Sequence, residues 1–263
     1  MYWISCTREE SANPPVYVII NSIRLETTLS LQGSAASNIT DAWVYLDDSY
    51  FGTFTLPAKF PVLLSGDHSI KIAPGIKING ASGARTPYPF YTSWSNYTAF
   101  SKAISFDGAV HYTNNANIIW LEDFENGLKS TGMNVEQNPS IIFEGKACGA
   151  VYLDNINTFA EFKSNSNFVL PKSGTPIYLE LNFKSNLPFS VSIQCRNAMT
   201  SKTVEVGGGN TSLIWKKIYF NLTPAVVSNP EATDYGISIT VQNSSAIKDA
   251  HLFLDNVKLV CFK

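Results

Sequence analysis

Charge is sparse in this chain, and the residues that usually carry out chemistry are sparser. Charged side chains make up 15% of the 263 residues, with 19 Lys and Arg against 21 Asp and Glu, so the formal net charge is only -2. A balance so near neutral gives no field with which to grip a polyanion, which argues against nucleic-acid binding. Histidine occurs three times, as His68, His111 and His251, with no Gly-x-Ser-x-Gly or His-Glu-x-x-His around it. The sequence therefore reads as a non-enzyme. Acid-pair catalysis leaves no linear signature, but the pair Asp47-Asp48 falls in a turn whose local chemistry explains it. The four cysteines, Cys6, Cys148, Cys195 and Cys261, form no C-x-x-C pair and have no His at ligand spacing, which argues against zinc. No apolar run approaches the roughly 18–20 residues that a membrane-spanning helix needs. Gly207-Gly208-Gly209-Asn210 lacks the following Lys-Ser/Thr and helix of a phosphate-binding loop and reads as a flexible connection between strands.

What the chain does have is aromatic residues, at 13%, and short alternating apolar runs. Val16, Val18 and Ile20 share one face, followed by Ile23, Leu25, Leu29 and Leu31 as further strand positions. Two period-two runs flank Asp47-Asp48-Ser49 as a β-hairpin. A strand is expected over 98–106. Nine strand-sized segments follow residue 127, at 140–143, 147–153, 160–162, 177–183, 189–195, 202–206, 213–220, 235–241 and 251–259. Nothing reads as a long helix. The expected fold is all-β, with two β-sandwich domains at 14–117 and 118–263, the second a jelly roll.

The stretch Pro87-Tyr88-Pro89-Phe90-Tyr91-Thr92-Ser93-Trp94-Ser95-Asn96-Tyr97 has two readings. Its prolines exclude a regular central strand. Tyr88, Phe90, Tyr91, Trp94 and Tyr97 would form an exposed platform for sugar rings or a protein partner, or the loop would pack down between the two domains.

Three resemblances extend this reading. Ile4-Ser5-Cys6 followed by Thr7-Arg8-Glu9-Glu10 resembles the end of a lipoprotein signal with the surface-export signal of Bacteroidota. Residues 1–13 would then be signal remnant and tether, with Cys6 lipidated and the protein held on the outer-membrane cell surface by that anchor alone. The start departs from the pattern, because Trp3 stands where Leu, Val or Ile is usual and the charged n-region is missing. With Cys6 lipidated, either one disulfide forms, Cys148 to Cys261, or the remaining three cysteines are small buried hydrophobes. Val44-Tyr45-Leu46-Asp47-Asp48, Gly52-Thr53 and Gly66-Asp67-His68 are similar to PEGA-type and carboxypeptidase-regulatory-like sandwich modules, in which such a His is a turn or core residue.

Leu121-Glu122-Asp123-Phe124-Glu125 and the closing Leu254-Asp255-Asn256-Val257 resemble the two ends of carbohydrate-binding-module and galactose-binding-like jelly rolls. That resemblance implies binding of glycan or another extracellular ligand through the second domain, without catalysis. It also implies a structural Ca²⁺ held by Asp123, Glu125 and Asp255, since carboxylates brought together repel unless a proton or cation lies between them. The other reading of those residues is that Asp255 and Asn256 bond backbone amides at a strand edge. The other function that remains open is a structural subunit of an outer-membrane secretion or uptake assembly, acting through a protein partner.

Overall fold

The computed structural model describes residues 14–244 and 247–263. Cys6 and the export-like segment lie outside the described residues. Among the described residues, nineteen strands and two short helices follow in chain order. The first group is β1 (Val16–Glu26), α1 (Leu29–Gln32), β2 (Asp41–Leu46), β3 (Ser49–Thr55), β4 (Ala58–Val62), β5 (Asp67–Lys77), β6 (Arg85–Pro87), β7 (Trp94–Ala99) and β8 (Ile104–His111). These strands make a three-stranded sheet, β4-β1-β8, and a sheet in which β2 joins β3 to β5, while β6 and β7 pair with β5. The alternation in β1 works as periodicity demands: Val16, Val18 and Ile20 point into the core between the two sheets.

The hairpin turn between β2 and β3 places Asp47 and Asp48 at φ 48° and 60°, the left-handed pair that a two-residue turn requires. Asp47 also anchors the start of β5. Its carboxylate accepts the Ser69 amide (2.9 Å) and His68 Nδ1 (2.7 Å), and His68 Nε2 donates to the Ser65 carbonyl (3.1 Å). These acceptors, Asp47 foremost, raise the His68 pKa. His68 closes a turn here, and both of its ring nitrogens are occupied.

The second group is β9 (Ala116–Glu122), β10 (Ser130–Thr131), β11 (Asn134–Glu136), β12 (Cys148–Leu153), β13 (Phe159–Ser164), β14 (Ile177–Ser185), β15 (Phe189–Arg196), β16 (Ser201–Gly209), β17 (Ser212–Asn221), α2 (Thr223–Val227), β18 (Asp234–Gln242) and β19 (Ala250–Phe262). The near sheet, which lies against the first group, runs β11-β12-β19-β14-β17 with β9 also on β19; the far sheet runs β10-β13-β18-β15-β16. Strands 12 to 15 and 16 to 19 alternate between the two sheets, with β15 and β16 paired as neighbours in the far sheet, in jelly-roll order. β19 organises the near sheet. One of its edges pairs with β12 through Ala250–Leu254 and with β9 through Val257–Phe262, while its other edge pairs with β14 along nearly its whole length.

Several local expectations are corrected. The Leu29 and Leu31 region is one exposed helical turn. Residues 98–106 are the end of β7, a turn and the start of β8. At 140–143 there is a turn, with the Ile141 and Ile142 amides both donating to the Asn138 carbonyl (2.9 and 3.1 Å). Gly207 to Gly209 belong to β16 rather than to a loop. A Cβ at Gly208 would lie 2.3 Å from the Phe189 carbonyl oxygen and one at Gly209 would lie 2.2 Å from the Phe189 ring, so the strand pairs closely only because side chains are missing there. Cys148, Cys195 and Cys261 are separate buried thiols, which removes the Cys148–Cys261 disulfide and leaves the small-hydrophobe reading. The expected result is a melting temperature unchanged by excess reductant; a drop of several degrees would show a bond between two of these three.

Candidate functional site

The aromatic stretch resolves first. Tyr88, Phe90 and Tyr91 are 2%, 0% and 4% exposed, in one apolar cluster with Tyr178, Tyr219 and Val260 of the near sheet. Tyr88 meets Tyr178 edge-on at 5.3 Å and Tyr219 at 5.0 Å. Trp94 is half-buried against Phe106 (4.9 Å), and only Tyr97, 70% exposed, remains available to a ligand. The stretch therefore packs down between the sandwiches and does not form a platform, because its rings fill the gap above the near sheet.

That packing surrounds a charge. Alternate residues of β14 face opposite ways: Ile177, Leu179 and Leu181 enter the jelly-roll core, while Tyr178 and Glu180 face the first sandwich. Glu180 is fully buried and accepts hydrogen bonds from Tyr88 (2.7 Å) and Tyr112 (2.9 and 3.0 Å). Lys217 Nζ lies 3.2 Å from its other oxygen. Lys258, its cross-strand partner, donates to the Ser34 carbonyl (2.7 Å) and lies over the Tyr112 ring. Burial pushes the Glu180 carboxyl up, but Lys217, Lys258 and the two phenols outweigh it and hold it below the usual range. Burial, with Lys217 beside it, lowers Lys258 to about 7. This network ties the two sandwiches together and offers no opening to a substrate.

The acidic residues at the two ends of the jelly roll come next. Val257 of β19 pairs with Glu122 of β9, so the chain that leaves β9 through Asp123, Phe124 and Glu125 runs past Asp255. Burial raises the Asp255 carboxyl to about 8, and Glu144, Glu125 and Asp123 add to the rise against the opposing Asn256 amide bond. Asp255 is 2% exposed, and its Oδ2 has no hydrogen-bond partner. The remaining acids are partly engaged. Glu125 accepts the Lys146 and Ala147 amides (2.7 and 3.2 Å), Asp123 accepts the Glu125 amide (3.3 Å), and Glu144 accepts Asn256 Nδ2 (2.8 Å). Among the described residues no three such side chains converge in ligating geometry. The orphaned oxygen fits a cation; the complete cage is not assembled. Sequence reasoning missed Glu144, whose turn at 140–147 had been read partly as strand.

An exposed aromatic face lies on β12. Trp215, whose indole donates to the Ile141 carbonyl (2.9 Å), and Phe143, whose ring is tilted against it at 5.4 Å, cover the middle of the near sheet. Beyond them Tyr152 stands 51% exposed. Its hydroxyl donates to Glu136 (2.7 Å) and its ring meets Phe253 edge-on at 5.6 Å, while Phe253 in turn stacks with His251 at 4.7 Å. The ring is thus held on two sides. A recess of about 320 Å³ on one side of Tyr152 is lined by Asn134, Asn157 and Phe159, and one of about 570 Å³ on the other by Asp154, Asn155, Asp249 and His251. Phe159 is itself 56% exposed. It begins the outward face of the far sheet, where Glu161, Lys163, Gln194, Arg196, Ser238 and Thr240 alternate with core residues. Glu161 accepts Ser238 Oγ and pairs with Lys163, both at 2.7 Å. Tyr152 was legible in the sequence only as an alternating strand residue.

No protein-family model and no curated protein matches the chain. Solved structures align with part of it. A carbohydrate-binding module, TmCBM61 in complex with β-1,4-galactotriose, is 17% identical over 49% of this chain and 85% of that one, at a TM-score of 0.32. The family 30 carbohydrate-binding module of a cellulosomal cellulase of Clostridium thermocellum is 10% identical over 54% and 91%, at 0.38. The enzymatically active domain of a tailspike protein of bacteriophage CBA120 is 14% identical over 57% and 20%, at 0.33. Scores this low carry no functional weight, and the all-β sandwich assignment stands on the sheet topology itself.

Proposed function

We propose that the protein binds saccharide, without transforming it, through the rim around Tyr152. The observation that carries this is an exposed phenol ring, fixed by Glu136 and Phe253, between two recesses edged with amide and carboxylate side chains. A pyranose offers an apolar C–H face to such a ring and hydroxyls to the groups beside it, and a ring already immobilised loses little entropy on binding. Attachment to the cell surface through Cys6 fits this role as part of the same proposal. A glycan array on the purified chain, with affinity capture from membranes in parallel, tests it. Saccharide signal lost in Tyr152→Ala supports the reading; binding kept in Tyr152→Ala but lost in Arg196→Ala moves the ligand to the far sheet. No sugar signal together with a stoichiometric protein partner would reject saccharide binding in favour of an assembly subunit.

The same proposal includes a structural Ca²⁺ beside Asp255. Asp123, Glu125 and Glu144 would turn toward the unpartnered Asp255 oxygen to complete an oxygen shell. The ion would fasten the ends of the jelly roll and take no part in ligand chemistry.

A further inference from the structure

We infer that the cleft between the two sandwiches is an oxyanion site, separate from the Tyr152 rim. The cleft has a volume of about 320 Å³ and is lined by Lys77 and Asn79 from the first sandwich and by Asn210, Thr211, Lys216 and Lys217 from the jelly roll, with no Asp or Glu among its lining residues. Across a neutral-to-acidic molecule this is a local excess of positive charge contributed by both sandwiches. The free charge is that of Lys77 and Lys216, because the Lys217 side chain is buried with its ammonium 3.2 Å from the Glu180 carboxylate that neutralises it.

The walls are built rather than incidental. Asn79 donates its amide to the Tyr219 carbonyl (2.7 Å) and Nδ2 to the Val206 carbonyl (3.1 Å), and its Oδ1 accepts the Asn221 amide (3.3 Å). Asn38 Nδ2 donates to the Lys217 carbonyl (3.0 Å). These bonds fix the spacing between Lys77 on one wall and Lys216 on the other, leaving their ammoniums and the Asn210 and Thr211 side chains as donors. Such a donor set, with no competing acceptor charge, suits a sulfate ester or a uronate carboxylate. The site would let the protein distinguish anionic from neutral saccharides while the Tyr152 rim holds an uncharged ring.

The test uses the full chain and two probes, sodium sulfate and sodium glucuronate, against sodium chloride at constant ionic strength, read by backbone-amide NMR. The expected result is saturable shifts at residues 77–80 and 208–211 with at least one probe, weakened at least tenfold in Lys77→Ala/Lys216→Ala. Which probe saturates identifies the source of the oxyanion. Both lysines are solvent-facing enough for the double variant to melt with the wild type, and a melting curve verifies this. Shifts that fail to saturate, that chloride reproduces, or that persist unchanged in the double variant overturn the site. Loss of glycan binding in Tyr152→Ala leaves this readout unaffected, so the two proposals fail separately.

Discussion

Replacing Glu180 with alanine is expected to lower the melting temperature by roughly 10 °C. Removing one partner of a buried ion pair leaves the other charge uncompensated at a cost of about 3–5 kcal/mol, and in a chain of this size about 2–4 °C is lost per kcal/mol. Glu180 is fully buried, so the full penalty applies. The variant would leave Lys217 without its acid and the Tyr88 and Tyr112 hydroxyls without their acceptor. Those two phenols belong to the first sandwich and the acid to the second, so the loss should also loosen the contact between them. Protease cleavage near residues 112–116 should accelerate in parallel. Glu180→Gln, which keeps the shape and one acceptor, should fall between the two. A melting curve for Glu180→Ala within 2 °C of the wild type would show that the network contributes little. The Lys258 pKa adds a pH signature. Lowered to about 7 in the folded chain from the ordinary 10.5, it leaves the unfolded chain holding more protons between those values, so this residue makes stability rise with pH across that window.

Asp255 should act in the opposite sense. Its carboxyl is raised to about 8 from 3.8, so between those values the folded chain holds the proton that the unfolded chain has released. The contribution is full below the unfolded value and is lost as pH rises through about 8. In the presence of a chelator, the wild type should therefore lose several degrees of melting temperature between pH 5 and 8, and Asp255→Asn should remove that slope and melt higher than the wild type at pH 8. Millimolar Ca²⁺ should restore the wild type at pH 8 and leave Asp255→Asn unmoved, since a ligand bound only by the folded state stabilises in proportion to the logarithm of its concentration over its dissociation constant. Superimposable wild-type melts with chelator and with Ca²⁺ would end the proposal of a metal while leaving the proton-linked slope intact.

The sequence made the strands legible because one buried face imposes period two, as in Val16, Val18 and Ile20 or Ile177, Leu179 and Leu181. It also pointed to Asp123, Glu125 and Asp255 by the two ends of the second sandwich, and the structure brings those ends side by side. It did not separate a stacked aromatic loop from an exposed one, since Tyr88 and Tyr152 have the same side chain and only the opposing surface decides which is covered. A signal for the covered surface was present in β14 and β19. Glu180 is flanked by Tyr178, Leu179 and Leu181, and Lys258 by Val257, Leu259 and Val260, and a charge in a strand with apolar neighbours on both faces implies a second layer over it. The glycines of β16 were misread for a related reason. A strand whose side chains are replaced by the ring of Phe189 has no local signal apart from the missing side chains.

Saccharide binding is proposed for the held phenol ring of Tyr152 on β12. Its most direct test is calorimetric titration of the glycan with the strongest array signal into the wild-type chain and into Tyr152→Ala. Saturable binding to the wild type, weakened at least tenfold in a variant that melts within a few degrees of it, is the predicted result. Equal affinity for the two proteins would contradict it.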